Sequence, residues 1–222
     1  MSHKLFIDIH THSAPEGTLS IVSLYQLDTP PQSNSNQLYS VGLHPWYLNF
    51  DSWDQAKRKL QSALKWDQVV AFGEIGLDRV QGVEFSLQIE YFIKQLELFK
   101  NSSFKVCFIH CVRAWNDLLP LITPMNDKIF ILHDFNSSLT EFEKMVQLPH
   151  LFFSLGQNFM RPQSKIHQFI ELIPQNRIFF ESDASEKPVE ELYHHYIRLI
   201  QGDLSLAQLS IIVEHNYQMV FS

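Results

Sequence analysis

The chain has 222 residues, and 45% of them are hydrophobic, which is enough to build a sizeable core. Its 24 acidic residues outnumber the 17 basic ones, and the net charge of −7 argues against a large basic face for nucleic acid. No apolar run approaches transmembrane length, and no signal peptide is recognisable. Cys107 and Cys111 lie four residues apart in one apolar run, too far apart on an extended strand to form a disulfide. We therefore expect a cytoplasmic protein with reduced thiols.

Short apolar runs alternate with helical patterns along the chain. The runs are almost continuously apolar, which is typical of parallel strands that are buried on both faces. They predict strands at residues 5–10, 19–24, 38–43, 69–75, 105–110, 129–135, 151–156 and 177–183. The helical patterns cover residues 51–66, 84–100, 114–123, 138–147, 163–173, 188–201 and 205–220.

This alternation predicts an α/β fold, a distorted TIM (β/α)8-like barrel, with residues 1–222 forming a single domain. A parallel connection normally needs about a dozen residues or more. The segments 13–18 and 28–37 are too short for a proper helix, and the second is polar and typical of a loop. We therefore expect the first two crossover helices to be shortened or missing, unless the run at 19–24 is not a strand.

Polar residues interrupt the predicted strands near their C-terminal ends. In β/α barrels the active site lies at that end of the strands. Each of these residues alone has an ordinary structural explanation, as a hydrogen-bonded core histidine or a capping acid. Their shared position instead predicts that metal-binding side chains from five strands converge on one mouth. The six residues are His10, His12, Glu74, His110, His133 and Asp183.

The chemistry of these side chains fits a dinuclear site. His10 and His12 are two residues apart, so a strand points both imidazoles to the same side, and imidazole suits zinc, iron, nickel or manganese. Glu74 is a carboxylate that can bridge two metal ions. Asp183 can ligate one ion and accept a proton from the attacking water. We therefore predict catalytic roles for Glu74 and Asp183.

Two further residues are candidates for substrate binding. His44 follows the third predicted strand, where it can bind a substrate oxygen or support a metal ligand, and the sequence leaves both roles open. Arg113 follows the fifth strand, and its guanidinium group matches the geometry of a phosphate.

Several motifs resemble, in order along nearly the whole chain, those of the TatD-related metal-dependent hydrolases. They are DIHTH, GLHPW, GEIGLD, FIHC with the arginine that follows it, ILHDFNSS and ESDAS. The resemblance implies a divergent TIM barrel of the amidohydrolase type with two divalent metal ions, which can be magnesium, manganese or zinc. It implies that one ion is held by His10, His12 and Asp183, a second by His110 and His133, and that Glu74 bridges them.

The resemblance also implies an activity. Family members are described as deoxyribonucleases, often 3′–5′ exonucleases, so this chain is expected to cleave phosphoester bonds with a metal-activated water. The expected substrate is a small phosphoester or a single-stranded DNA end, because exposed basic residues are too few for tight duplex binding. No membrane partner is expected, and the oligomeric state is left open.

The chain departs from the family pattern around the expected substrate mouth. It is shorter between His12 and Gly42, Asp134 replaces a small neutral residue, and Ser185 and Glu186 replace a proline and an aromatic residue. These changes leave the metal ligands in place, so the resemblance predicts the metal centre more firmly than the substrate.

Three alternatives remain. A phosphatase of the PHP type also starts with an HxH motif, but its last strand usually carries an Asp–His pair, and Asp183 is flanked by Ser182 and Ala184. An amidohydrolase acting on a C–N or lactone bond usually has a bridging carboxylated lysine, where this chain has Glu74. The third alternative is a non-catalytic metal-binding protein. The open, water-activating site argues against it, because such a protein gains nothing from that site.

Overall fold

The computed structural model describes residues 6–13, 18–31 and 37–222. Its strands follow one another in chain order within one sheet, and the pairs β3–β4, β4–β5 and β7–β8 are parallel. The strands are β1 Ile7–Thr11, β2 Leu19–Leu24, β3 Leu38–Val41, β4 Val69–Asp78, β5 Val106–Val112, β6 Ile129–Leu132, β7 Leu151–Leu155 and β8 Ile178–Phe180. The α-helices are α1 Trp53–Ala63, α2 Phe85–Lys100, α3 Trp115–Ile122, α4 Leu139–Met145, α5 Gln157–Met160, α6 Glu190–Leu199 and α7 Leu206–Phe221.

Every predicted strand is present, but several ends differ. β4 and β5 run beyond residues 75 and 110, so Glu74 and His110 lie inside strands rather than at their ends. β8 stops at Phe180, and Asp183 instead forms an isolated parallel bridge with Thr11. Residue 5, the start of the first predicted strand, lies outside the described residues.

The first two connections contain no helix in the residues that the structure describes. The run at 19–24 is a strand, so the alternative that it is misread as one is excluded. Residues 14–17 and 32–36 of these connections lie outside the described ranges.

The predicted α-helix at 163–173 is wrong. This segment contains two short 3₁₀-helices, at Lys165–Gln168 and Ile170–Leu172. Its buried residues are spaced as on an α-helix, but Phe169 leaves the helical conformation, with φ −140° and ψ 18°. Pro174 then favours an extended conformation for the residue before it, which ends the segment.

The chain divides into two compact units. Unit 1 comprises residues 1–21 and 132–222, and unit 2 comprises residues 22–131. The assignment of the whole chain to a single domain stays a prediction. No helix in the described part of the chain combines the length and the apolar character that crossing a membrane requires.

In unit 1, α6 fixes β1 through a buried tyrosine. The Tyr193 hydroxyl donates a hydrogen bond to the Ile7 carbonyl at 3.1 Å and accepts one from the Ile7 N–H at 3.2 Å. Tyr193 is fully buried and also packs against Phe6 and Phe180. β1, which carries two of the predicted metal ligands, therefore has a defined position against the helix.

In unit 2, two buried glutamines of α2 hold the ends of β3 and β4. The Gln95 side chain accepts a hydrogen bond from the Leu43 N–H at 2.8 Å and donates one to the Leu43 carbonyl at 3.1 Å. Gln88 makes the same pair of bonds with the backbone of Asp78, at 2.8 and 2.9 Å. Gly76 lies against the His110 carbonyl so closely that an added Cβ atom would be 1.8 Å from its oxygen. These contacts fix the strand segments that carry the polar residues of unit 2.

Candidate metal centre

Four predicted ligands lie together in unit 1, and we call His10, His12, His133 and Asp183 the unit 1 cluster. The Asp183 Oδ1 atom is 3.3 Å from His12 Nε2 and 4.0 Å from His10 Nε2. The ring centroids of His10 and His133 are 4.3 Å apart. Ligand atoms of His10, His133 and Asp183 all lie within 4.8 Å of one another.

Backbone pairing with β1 places Asp183 in this cluster. The Asp183 N–H donates to the His10 carbonyl, and the Asp183 carbonyl accepts from the His12 N–H, both at 3.0 Å. Asp183 has φ +53°, a left-handed conformation that aspartate adopts more readily than most residues. Because strained backbone persists only where surrounding structure enforces it, its occurrence at a predicted ligand supports a functional role for the site.

A buried acid supports His133. The Glu181 Oε1 atom lies 2.6 Å from His133 Nδ1 and accepts a hydrogen bond from the Asp134 N–H at 2.5 Å. The Asp134 carboxylate in turn accepts hydrogen bonds from the backbone and side chain of Asn158, and burial raises its pKa. In histidines that bind metals, the N–H of the second ring nitrogen usually donates a hydrogen bond to such a carboxylate. The position of Glu181 beside Nδ1 favours His133 Nε2 as the nitrogen for a metal.

Another buried acid joins β1 to the segment after β8. The Asp8 carboxylate accepts hydrogen bonds from the Ser182 N–H at 2.9 Å and the Ser182 hydroxyl at 2.6 Å. Burial raises the pKa of Asp8 to about 6 despite these bonds. The bonds place Ser182, next to Asp183, against the strand that carries His10.

Four buried side chains in unit 2 form a second group, and we call His44, Glu74, Asp78 and His110 the unit 2 cluster. The Glu74 Oε1 atom is 3.1 Å from His44 Nε2 and 2.9 Å from His110 Nδ1. The other ring nitrogen of His110 is 3.2 Å from Asp78 Oδ2. His110 therefore lies between two carboxylates.

Asp78 is held in this cluster from several sides. Its carboxylate accepts hydrogen bonds from the Trp46 indole N–H at 2.7 Å and from the N–H groups of Val80 and Gln81, at 2.7 and 3.0 Å. Burial acts to raise the pKa of Asp78, but the hydrogen bonds from His110 and Trp46 outweigh it and lower the pKa to about 2. The Asp78 carboxylate is therefore ionised, and as a hydrogen-bond acceptor it orients the rings of His110 and Trp46.

The donor sets of both clusters fit divalent cations. Three imidazoles and a carboxylate, as in unit 1, are ligands of zinc and of other first-row transition metals. In unit 2, His110 faces a carboxylate with each ring nitrogen, whereas a neutral imidazole carries only one N–H. A cation at one of these contacts would satisfy both the imidazole and a carboxylate.

The sequence-predicted residues are thus grouped within each unit, but their roles stay predictions. Arg113 follows β5 as an exposed residue with φ +54°, and its contact with a substrate phosphate is untested. His44 contacts Glu74, which favours support of a ligand over direct binding of substrate. Sequence reasoning missed the contributions of Asp78 and Glu181. The sequence feature that could have identified both residues is an acidic side chain directly beside an apolar strand segment.

Comparison with known proteins identifies the family. The family model for TatD related DNase matches residues 31–222 of this chain. The chain belongs to the TatD-related DNase family. Its fold also matches the crystal structure of YjjV, a TatD homologue from Escherichia coli K12, with a TM-score of 0.80, 23% identity and coverage of 97% of each chain. This match confirms the predicted TIM-barrel fold.

The TatD-related chain is also similar to curated proteins over part of their length. It is 32% identical over 163 residues to the metal-dependent hydrolase YjjV of Escherichia coli K12, covering 70% of this chain and 61% of YjjV. It is 32% identical over 153 residues to the 3′–5′ ssDNA/RNA exonuclease TatD of Yersinia pseudotuberculosis, covering 65% of this chain and 56% of that enzyme. The matched segments thus span less than two thirds of either relative.

Proposed function

We propose that this TatD-related protein is a metal-dependent hydrolase that cleaves phosphoester bonds, acting on single-stranded DNA ends or small phosphoesters in the cytoplasm. The observation that carries the proposal is the unit 1 cluster, where the ligand atoms of His10, His133 and Asp183 lie within 4.8 Å of one another. The exonuclease name of the Yersinia relative supports the phosphoester substrate. The net charge of −7 favours single strands and small substrates over duplexes.

In this proposal His10, His12 and Asp183 would hold one divalent cation in unit 1, and Glu74 and His110 would hold a second in unit 2. When bound, such cations lower the pKa of water toward neutrality and polarise a phosphoryl oxygen. Nitrogen-rich ligands favour manganese or zinc over magnesium, which prefers oxygen. The sharing of Glu74 by both ions and the assignment of His133 to the second ion stay predictions.

The protein's own residues supply the proton transfer and the orientation. The Asp183 side chain is 27% exposed, whereas His10 is fully buried, so water can reach the carboxylate while the ligand behind it stays fixed. Asp183 accepts the proton of the attacking water at a carboxylate oxygen. Arg113 binds a substrate phosphate through its guanidinium group, and His44 keeps Glu74 oriented.

Asp183→Asn tests this proposal. With manganese present, hydrolysis of a single-stranded oligonucleotide should fall by about 100- to 10,000-fold, the usual contribution of a general base. Asp127→Asn, at an exposed site in unit 2, is the control and should retain full activity. Unchanged hydrolysis by Asp183→Asn would refute the proton-transfer role.

A substrate panel tests the reaction class with the unaltered protein. Hydrolysis of oligonucleotides or small phosphodiesters supports the proposal. Exclusive hydrolysis of phosphomonoesters would favour the PHP-type alternative, and exclusive hydrolysis of amides or lactones would favour the amidohydrolase alternative. Metal binding without hydrolysis of any of them would favour a non-catalytic protein.

A further inference from the structure

A cavity of about 460 Å³ in unit 2 lies outside the metal ligands. Its lining includes two tyrosines, Tyr25 and Tyr47, and the amide side chains of Gln26 and Asn49. None of these residues has a role in the proposed hydrolysis, so the cavity calls for a separate explanation.

The two tyrosines form an exposed aromatic surface. Their rings are stacked, with centroids 4.9 Å apart and an interplanar angle of 25°. Tyr25 is 43% exposed and Tyr47 45% exposed, although most large aromatic residues of this protein are buried. A flat, partly exposed pair of rings is the kind of surface on which a nucleobase stacks.

Tyr47 is held in place by the turn that follows β3. Its N–H donates to the His44 carbonyl at 3.0 Å, and its carbonyl accepts from the Asn49 N–H at 2.9 Å. The preceding residue, Trp46, is anchored by its hydrogen bond to Asp78. The turn therefore fixes the Tyr47 backbone, and the ring packs on Tyr25 without a ligand, which lowers the entropic cost of binding.

The charges of the cavity disfavour a phosphate and favour a neutral ring. The one lysine of its lining, Lys59, is paired with Asp28 at 2.7 Å, and Asp51 adds a second negative charge. The amides of Gln26 and Asn49 can donate and accept hydrogen bonds, as the edge of a nucleobase requires.

The cavity also adjoins the unit 2 cluster. The ring centroids of Tyr47 and His44 are 5.5 Å apart, and His44 contacts Glu74. A nucleotide joins its base to its phosphate through one sugar, so a base stacked on Tyr47 keeps its phosphate close to this cluster.

We propose that the Tyr25–Tyr47 cavity binds the nucleobase of a nucleotide or of a single-stranded nucleic acid. This inference rests on the proposed function, because it names the part of the substrate that this cavity holds. It makes the base, and not only the phosphoester, a determinant of affinity.

Binding measurements without metal test the base subsite separately from hydrolysis. In EDTA, calorimetric titration compares deoxyadenosine 5′-monophosphate with deoxyribose 5-phosphate, which lacks the base. Tyr47→Ala should weaken binding of the nucleotide roughly 5- to 150-fold, the loss expected for one base–aromatic stack, and leave binding of the sugar phosphate unchanged. Tyr25→Ala should also weaken nucleotide binding. Tyr47→Phe keeps the ring and should bind within about twofold of the original protein.

The control is Tyr217→Ala, because Tyr217 also stacks on an aromatic residue, Phe221, but lies in unit 1. It should leave nucleotide binding unchanged, and circular dichroism checks that every variant is folded. Unchanged nucleotide affinity in folded Tyr47→Ala, or equal weakening of both ligands, would overturn the proposal. So would tighter binding of methyl glucoside than of the nucleotide, which would indicate a sugar site. If no substrate is hydrolysed but Tyr47→Ala selectively loses the nucleotide, the proposed function fails and the base subsite stands.

Discussion

Glu181→Gln tests whether a buried acid supports His133, a predicted metal ligand. Glu181 is fully buried, and one of its oxygens contacts both His133 Nδ1, at 2.6 Å, and the Asp134 N–H, at 2.5 Å. Glutamine keeps an acceptor oxygen but loses the charge, and charge-assisted hydrogen bonds are roughly twice as strong as neutral ones. Loss of such support typically lowers metal affinity 10- to 100-fold, or about 1.4–2.7 kcal/mol.

The variant should also be less stable. The second Glu181 oxygen is buried and accepts no hydrogen bond in the described part of the chain, so the glutamine NH₂ group that replaces it would be a buried donor placed where the carboxylate made no hydrogen bond. A buried unsatisfied group costs about 1–3 kcal/mol of unfolding free energy, which urea denaturation measures. The affinity must therefore be measured on folded protein, by competition for manganese with a chromophoric chelator.

Glu171→Gln is the matched control. The Glu171 carboxylate also accepts a backbone N–H in unit 1, that of Gln201 at 2.7 Å, but this bond supports no histidine. The control should bind manganese like the original protein. Manganese affinity of folded Glu181→Gln within about twofold of the original would refute the support of His133 by this acid.

Two further predictions concern metal stoichiometry and pH. Glu74→Ala should reduce the manganese bound per chain as measured by elemental analysis, because Glu74 is the predicted bridging ligand, and undiminished content would contradict this role. Burial raises the pKa of Tyr196 from 10.0 to about 12, so the unfolded chain ionises first and stability is lost as the pH rises through this interval. Tyr196→Phe should remove about 2 kcal/mol of the decline in unfolding free energy between pH 9 and pH 12, and an identical decline in both proteins by urea denaturation would exclude Tyr196 as its source.

Local pattern was sufficient to predict the strands and most of the helices. Buried parallel strands need apolar residues on both faces, and a run such as 129–132, IFIL, is apolar without interruption. Helix positions followed from periodicity, which also produced the one wrong helix, at 163–173. The buried residues there have α-helical spacing although the segment is 3₁₀, because the break at Phe169 depends on tertiary packing that periodicity does not encode.

The sequence by itself determined the positions of the eight strands and the six candidate ligands, because apolar runs and the polar residues that interrupt them are local patterns. Only the tertiary structure decided which partners those ligands have. The fold brings the Glu181 carboxylate to His133, and the packing of β4 beside β5 brings the Asp78 carboxylate to His110. Contacts between residues 32 to 47 positions apart form only when the chain is folded, since neighbouring sequence carries no information about them.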